Sequence, residues 1–205
     1  MKTVGLLLLL GCGDPSAAAN PTVQPTPPKE GEAAAVFAGG CFWCMEGPFE
    51  KLPGVVSVES GYTGGEKTGP TYHEVSMGRT THVEAVRVVY RPEKVDYARL
   101  LEVFWHNIDP TQDNGQFCDK GPHYRSAIFA ASAEEKEQAQ KSRDEAQKAL
   151  GRTVVTEIRE AAPFWLAEDY HQDFYKKNPT RYKSYRAGCG RDHRLQQLWG
   201  KDAGR

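Results

Sequence analysis

Apolar and polar residues alternate along several short runs of the chain, and this period of two predicts β-strands. The clearest run is 82–91, which is rich in valine and carries polar residues between its apolar ones. Paired glycines at 39–40 and 64–65 mark the ends of two weaker runs. The clearest run and four weaker ones predict enough strands for one sheet. The weaker runs are 33–38, 55–62, 125–131 and 153–159.

Spacings of three and four residues between apolar positions predict the helices. Asp96 is a candidate N-cap for one of them, and Ser132 and Glu135 have the spacing of a capping box at the start of another. The predicted helices are 41–52, 96–106, 132–150 and 164–177. The polar segments between elements are predicted loops, and the last segment is a glycine-containing tail: 63–81, 107–124 and 178–205.

Strands and helices alternate irregularly along the chain, without an internal repeat. This order is typical of an α+β fold rather than of repeated strand–helix–strand units. We therefore predict a single domain over 33–205, built as a two-layer α/β sandwich with a mixed, mostly antiparallel sheet.

The first thirty residues lack the patterns of a folded domain. Lys2 precedes a short leucine run at 6–10, which is the layout of a secretory signal and is too short to span a bilayer. The run ends at Gly11 and Cys12 in a pattern that resembles the bacterial lipobox, in which the cysteine is lipidated; an ordinary signal peptide with an incidental Cys12 is the alternative. Residues 13–32 are rich in proline and alanine and predict a flexible tether.

The predicted organisation is a lipoprotein-type signal peptide over 1–12, the tether over 13–32 and the folded body. This predicts an exported, membrane-anchored lipoprotein that faces the periplasm or the cell exterior. Contact with the membrane would run through the lipid only.

Composition excludes several classes of protein. Of 205 residues, 26 are lysine or arginine and 27 aspartate or glutamate, a formal net charge of −1. Because the charges balance, nothing in them favours a nucleic-acid partner. The 10% aromatic content argues against a wholly disordered chain. Five cysteines are too few for a dense disulfide scaffold, so each one has to be considered separately.

Cys41 is the leading candidate for a nucleophile. It follows Gly39 and Gly40 at the start of a predicted helix, where free amide groups and partial positive charge stabilise a thiolate and lower its pKa. A buried structural cysteine is the alternative. Cys41 and Cys44 also form a C-x-x-C pair, which occurs in redox sites and in halves of zinc sites. Since Cys118 and Cys189 stand alone in the sequence, we expect no metal.

Glu84 is the second candidate. On the predicted strand it shares a face with Val86, Val88 and Tyr90, and the opposite face is apolar as well. A carboxyl group on such a strand loses contact with water, which raises its pKa and suits it to act as a general acid near neutral pH. A glutamate at a sheet edge that faces water is the open alternative.

Several short motifs, in this order, resemble those of the peptide methionine sulfoxide reductase family, class A. The resemblance covers about 35–180, and a single motif would carry little weight, whereas eight in order make chance implausible. The motifs are Gly40-Cys41-Phe42-Trp43, Gly61-Tyr62-Thr63-Gly64-Gly65, Pro70-Thr71-Tyr72, Thr81-His82-Val83-Glu84-Ala85-Val86, Asp109-Pro110-Thr111, Tyr124-Arg125-Ser126, Thr156-Glu157-Ile158 and Ala167-Glu168-Asp169-Tyr170-His171-Gln172.

The resemblance implies that 33–205 is a catalytic domain that reduces the S epimer of methionine sulfoxide, free or in peptides. Cys41 would attack the sulfoxide sulfur and become a sulfenic acid, and Glu84 would donate a proton to the oxygen. Phe42 and Trp43 would form the pocket for the substrate's methyl group. Three further residues match the family's supporting groups, namely Tyr72, Tyr124 and Asp119, whereas His171 is expected to be structural.

A sulfenic acid is usually cleared by a second thiol, and the resulting disulfide is opened by an external reductant. Three cysteines are candidates for this recycling step: Cys189 in the tail, Cys44 one helical turn from Cys41, and Cys118. The family often carries recycling cysteines in the tail, so the order of preference is Cys189, Cys44, Cys118. The alternative is that Cys44 and Cys118 are unpaired or pair with each other.

The resemblance further implies no bound cofactor and a thioredoxin-like reductant as partner, with oxidised proteins, peptides and free methionine sulfoxide as substrates. A monomer is the default expectation. Two other functions remain open at this point: a thioredoxin-like disulfide oxidoreductase that uses Cys41 and Cys44, and a non-catalytic metal-binding lipoprotein.

Overall fold

The structure is a computed structural model, and it describes residues 23–205. The predicted signal peptide, with Cys12, lies outside the described residues. Within 23–205, none of the helices combines the length and apolar character that crossing a membrane requires.

Six strands form one twisted sheet in the order β7-β6-β1-β3-β2-β8. Every neighbouring pair is antiparallel except β6 and β7, which are parallel. The predicted mixed, mostly antiparallel sheet of an α+β domain is therefore confirmed. A separate two-stranded hairpin joins β4 and β5. The strands are β1 Ala33–Gly39, β2 Val55–Thr63, β3 Val83–Tyr90, β4 Gly115–Gln116, β5 Asp119–Lys120, β6 Ser126–Ala130, β7 Glu157–Glu160 and β8 Phe164–Leu166.

In the part of the chain that the structure describes, seven α-helices accompany the sheet: α1 Phe42–Glu50, α2 Tyr72–Ser76, α3 Tyr97–His106, α4 Ala133–Leu150, α5 Phe174–Lys177, α6 Pro179–Gly188 and α7 Arg191–Trp199. Asp96 caps α3 by accepting the amide of Arg99, as the sequence predicts. Ser132 caps α4 in the same way. The capping box at α4 is incomplete, because Glu135 accepts the amide of Ala131 instead of that of Ser132.

The core lies on both faces of the central strand β3, all of whose residues are buried. One face belongs to the larger cluster of buried apolar residues, to which α1 and α3 contribute Met45, Phe49 and Phe104. The opposite face packs in a smaller cluster with Phe129 and Phe164. A side chain on β3 is consequently removed from water whichever way it points.

Two predictions for the last quarter of the chain are wrong. The predicted helix 164–177 is instead strand β8, an irregular segment and the short helix α5, because β8 pairs with β2. The predicted tail 178–205 holds α6 and α7, which are tied to the body: Arg191 donates to the carbonyl groups of Gly39 and Asn107. The predicted loops also contain short elements, among them α2 and the β4–β5 hairpin.

The described part of the predicted tether lies against the sheet. The carbonyl of Val23 accepts the amide of Leu166 at 2.8 Å, and that of Thr26 accepts the guanidinium of Arg87 at 3.0 Å. These contacts place the end of the predicted tether beside β8 and β3.

We predict that Gly61→Ala destabilises the fold by roughly 1–3 kcal/mol, the usual cost of overpacking. Gly61 lies on β2, where an added Cβ would sit 2.3 Å from the carbonyl oxygen of Trp165 and 2.4 Å from the ring of Phe164. Urea unfolding of the full chain measures the change. Gly188→Ala is the matched control, since no atom lies within 4 Å of its added Cβ. Gly188 is the last residue of α6, where alanine favours the helix more than glycine does, so we expect this variant to be as stable as the wild type or slightly more stable. Equal stability of the two variants would contradict the prediction.

Candidate active site

Cys41 lies where β1 ends and α1 begins, as the N-cap residue of α1. The preceding Gly40 has φ +80°, and a Cβ there would lie 2.4 Å from Gln116, so the turn requires glycine. The thiol is only 5% exposed. The junction therefore delivers the sulfur to the protein interior at a helix N-terminus.

A cavity of about 180 Å³ opens above this sulfur. It brings together all the residues that the sequence predicts for catalysis and substrate binding, and it adds one residue that the sequence analysis missed, Tyr185. The lining residues are Cys41, Phe42, Trp43, Tyr72, Glu84, Asp119, Tyr124 and Tyr185.

Glu84 is 2% exposed, which rules out a glutamate at the sheet edge facing water. Its strand lies between β1 and β2, and its carboxylate accepts the backbone amide of Phe42 at 3.1 Å. Burial raises the pKa of Glu84 to about 8, and the negative charge of Asp119 contributes to the rise while the Phe42 amide opposes it. At neutral pH this carboxyl is therefore mostly protonated and can donate a proton.

The side chains of Cys41 and Cys44 interact with each other at the start of α1. Burial, followed by this neighbour, raises the pKa of Cys41 well above its ordinary value, whereas we predicted a lowered pKa from its place at a helix terminus. The interaction with Cys41 and the charges of Arg191 and Arg186 lower the pKa of Cys44 to about 6. The loss of contact with water raises the pKa of Cys41 more than the helix N-terminus lowers it, so Cys41 is a thiol in the resting protein.

Phe42 and Trp43 form the aromatic wall of the cavity, and residues outside the cavity fix the positions of their rings. Trp43 stacks on Phe174 with 3.7 Å between ring centroids, and its indole nitrogen donates to Nδ1 of His171 at 3.1 Å. Phe42 packs against the rings of Tyr62 and His171. Because Nδ1 of His171 accepts a hydrogen bond and burial lowers its pKa to about 4, this histidine is neutral and carries its proton on Nε2. His171 thus positions the wall, in agreement with a structural role.

Glu168 connects three of the sequence motifs. Its carboxylate accepts the hydroxyl of Tyr62 at 2.8 Å and the backbone amide of Tyr72 at 2.8 Å. The second contact is made at the start of α2, whose side-chain cap is Thr71. Glu168 therefore fixes the position from which Tyr72 reaches the cavity.

Three phenols and a second carboxyl group face the cavity besides Glu84. Burial, followed by the charge of Glu84, raises the pKa of Tyr72 to about 12, and the same causes raise that of Tyr124. Both phenols stay protonated at neutral pH and can donate hydrogen bonds to a ligand oxygen. Asp119, whose pKa is raised by burial, accepts the hydroxyl of Tyr185 at 2.5 Å.

Cys118 and Cys189 form a disulfide whose Cα atoms are 5.0 Å apart, and Cys41 and Cys44 are free thiols. The pairing is neither between Cys189 and Cys41 nor between Cys118 and Cys44. Cys118 is exposed and directly precedes Asp119, which lines the cavity. The disulfide therefore lies beside the site and is open to solvent.

Comparison with known proteins places this arrangement in one family. The family model described as "Peptide methionine sulfoxide reductase" matches residues 33–203. The chain is 50% identical over 195 residues to the "Peptide methionine sulfoxide reductase MsrA 2" of Caulobacter vibrioides, which covers 95% of this chain and 94% of the relative.

Two solved structures are similar in fold. The reduced form of Mxr1 from Saccharomyces cerevisiae matches with a TM-score of 0.71 at 31% identity, over 75% of this chain and 90% of that one. Methionine sulfoxide reductase A of Corynebacterium diphtheriae matches with a TM-score of 0.66 at 36% identity, over 74% and 77%.

Proposed function

The chain belongs to the peptide methionine sulfoxide reductase family, and we propose that it reduces the S epimer of methionine sulfoxide through the thiol of Cys41. The observation that carries the proposal is the cavity itself, in which this thiol and a protonated Glu84 face a shared space beside an aromatic wall. The substrate is the sulfoxide in oxidised peptides and proteins or the free amino acid, and the reaction repairs oxidised methionine.

The proposed chemistry transfers the sulfoxide oxygen to the enzyme. The sulfur of Cys41 attacks the sulfoxide sulfur while Glu84 protonates the oxygen, and Tyr72 and Tyr124 donate hydrogen bonds to it. Methionine leaves with its sulfur reduced by two electrons. Cys41 is oxidised by two electrons to a sulfenic acid, whose oxygen is that of the sulfoxide.

The shape of the cavity accounts for selection of one epimer. A sulfoxide sulfur is a stereocentre that carries an oxygen, a methyl group, the substrate chain and a lone pair. Donors hold the oxygen on the side of Glu84, and Phe42 and Trp43 offer an apolar surface to the methyl group. Exchanging these two substituents would place an oxygen against aromatic rings and leave a donor unpaired, which costs free energy.

We propose that the sulfenic acid is resolved in two steps. The thiol of Cys118 attacks the sulfenic sulfur of Cys41, releasing water and forming a disulfide between them. The thiolate of Cys189 then attacks the sulfur of Cys118, which frees Cys41. The Cys118–Cys189 disulfide supports this order, because it is the product of the second step. In this scheme Cys189 is a recycling cysteine that acts on Cys118.

The reductant proposed for this disulfide is a thioredoxin-like protein, and no bound cofactor takes part. Exposure of Cys118 supports the proposal, since a protein dithiol has to reach one sulfur of the pair. The alternative of a disulfide oxidoreductase that works through Cys41 and Cys44 is not favoured, because these thiols are only 5% and 1% exposed. A four-sulfur metal site is not favoured either, because two of the sulfurs are joined in the disulfide.

We propose in addition that the chain is exported and anchored to a membrane by a lipid on Cys12. The support is the leucine run that ends in Gly11 and Cys12, followed by the proline-rich segment. The folded body would then work outside the cytoplasm, where the reductant has to be a protein of that compartment.

We predict that Cys41→Ser abolishes methionine formation from the S epimer and that Glu84→Gln lowers its rate by roughly 10²–10⁴, the usual range for a general acid. In the wild type the rate is maintained below about pH 8 and falls above it, because Glu84, with a pKa of about 8, then loses the proton it donates. Glu84→Gln removes that fall.

Stopped-flow formation of the first methionine, measured from pH 5 to 10 with each epimer, tests this prediction. Glu160→Gln, on the exposed edge strand β7, is the matched control and is expected to behave like the wild type. Undiminished turnover by Cys41→Ser would refute the proposed function.

For recycling, we predict that Cys189→Ser stops after one methionine with a disulfide between Cys41 and Cys118. The wild type, treated with substrate and no reductant, should carry the Cys118–Cys189 disulfide. Peptide mapping by mass spectrometry distinguishes these species, with Cys44→Ser as a variant that keeps the Cys118–Cys189 pair. A disulfide between Cys41 and Cys44 in the wild type would rule out the proposed order.

For the anchor, we predict that Cys12→Ala loses incorporation of a labelled fatty acid when the full chain is expressed in bacteria. Cys118→Ala retains the label, because only Cys12 lies in the lipobox-like pattern. Equal labelling of both variants, or of neither the wild type nor the variants, would exclude the anchor.

A further inference from the structure

Tyr185 lines the cavity and, like Asp119, has no role in the reaction described so far. It lies on α6, three residues before the end of that helix. Its hydroxyl donates to Asp119 at 2.5 Å, and its ring meets that of Trp43 edge-on at 6.0 Å. The same hydroxyl lines the cavity with Cys41 and interacts with its thiol. The phenol oxygen therefore bridges the attacking sulfur and a carboxylate.

We propose that Tyr185 is a catalytic residue that relays the proton of the Cys41 thiol to the carboxylate of Asp119 as the sulfur attacks. The inference rests on the proposed function and adds the route by which the nucleophile loses its proton.

The need for such a relay follows from the surroundings of the sulfur. Burial, followed by the neighbouring Cys44, raises the pKa of Cys41, so a thiolate does not form in advance. The cavity also presents Tyr72 and Tyr124 to the thiol, and both are donors. Two groups near the sulfur can accept its proton: Cys44, whose pKa is lowered to about 6, and the carboxylate of Asp119, to which Tyr185 donates. In the proposed relay the proton goes to Asp119, and removal of the Tyr185 hydroxyl distinguishes the two routes because it interrupts only this one.

Tyr185 can carry the proton without ionising. Burial, together with the charges of Cys41 and Cys44, raises its pKa far above the ordinary value, so the phenolate is not formed. The oxygen instead accepts the proton of Cys41 while the phenol hydrogen passes to Asp119, to which it already points. Burial also raises the pKa of Asp119, which makes its carboxylate a better acceptor.

The proton count balances over the reduction step. Glu84 gives a proton to the sulfoxide oxygen, which ends as the hydroxyl of the sulfenic acid, and Asp119 takes the proton of the thiol. One negative charge thus moves from Asp119 to Glu84. Before the step, the charge on Asp119 helps to keep Glu84 protonated. Return of the proton from Asp119 to Glu84 restores the starting state, so the step takes up no proton from solvent.

The relay has to be assembled while Cys118 and Cys189 are reduced, since this is the form that begins a turnover. Tyr185 belongs to the C-terminal arm, which is residues 178–205 with α6 and α7, and this arm is held by contacts other than the disulfide. Arg191 donates to the carbonyls of Gly39 and Asn107 from a site that is 1% exposed, and Arg194 binds Asp109 at 2.7 Å. None of these contacts involves a sulfur of the disulfide, so the reduced protein can form them as well.

The test is Tyr185→Phe, which keeps the ring against Trp43 and removes the hydroxyl. We expect the rate of first methionine formation without reductant to fall about 10- to 100-fold, at the low end of what positioned acid–base groups contribute. We also expect the pH midpoint of Cys41 alkylation by iodoacetamide, located by tandem mass spectrometry, to rise. Tyr175→Phe is the matched control, because its hydroxyl contacts Glu50, outside the cavity, and both readouts should stay at wild-type values.

A wild-type rate and alkylation midpoint in Tyr185→Phe would overturn the relay. A higher KM with an unchanged maximal rate and midpoint would also overturn it, because it would assign Tyr185 to packing alone. Failure of the wild type to form methionine would instead refute the proposed function, and the alkylation midpoint would still decide whether Tyr185 acts on the Cys41 thiol.

Discussion

A carboxyl group kept out of water in the middle of a sheet is the constraint on which the rest of the site depends. Glu84 lies on a strand that is flanked by β1 and β2 and covered on both faces, so its proton is held at neutral pH. The same lack of water keeps Cys41 protonated. A site built in this way can supply an acid easily but has to remove the proton of its nucleophile during the reaction, which is why the path from Cys41 to Asp119 matters.

The supporting residues come from segments that are distant in the sequence. Glu168 and His171 lie between β8 and α5, and they fix Tyr72 and Trp43 through one hydrogen bond each. Neither Glu168 nor His171 forms a hydrogen bond with Cys41 among those described, yet each fixes the position of a residue that lines the cavity. Precision at the sulfur is therefore obtained by packing and polar contacts behind the lining, as preorganised sites generally require.

The sequence was sufficient for the sheet and for most of the cavity, because their signals are local. The alternation of apolar and polar residues predicted β3, and the position of Cys41 after two glycines at the start of a helix predicted the nucleophile. The last quarter was different, since α6 buries none of its residues and so shows no apolar period. Its position depends on Arg191, a charged residue that pattern rules assign to the surface. The sequence did not indicate Tyr185 for that reason, because only the packing of α6 and α7 against the body places this residue beside the thiol.

The disulfide between Cys118 and Cys189 joins residues 71 positions apart, and this has a thermodynamic consequence. A cross-link over such a loop mainly lowers the conformational entropy of the unfolded chain. In the chain-entropy account this raises the free energy of unfolding by roughly 4 kcal/mol. In the proposed recycling scheme, the protein therefore alternates between a more and a less heat-resistant form in each cycle. When reductant is scarce, the protein accumulates in the cross-linked form. The molecules that await reduction are then the more stable ones under the oxidising conditions that produce their substrates.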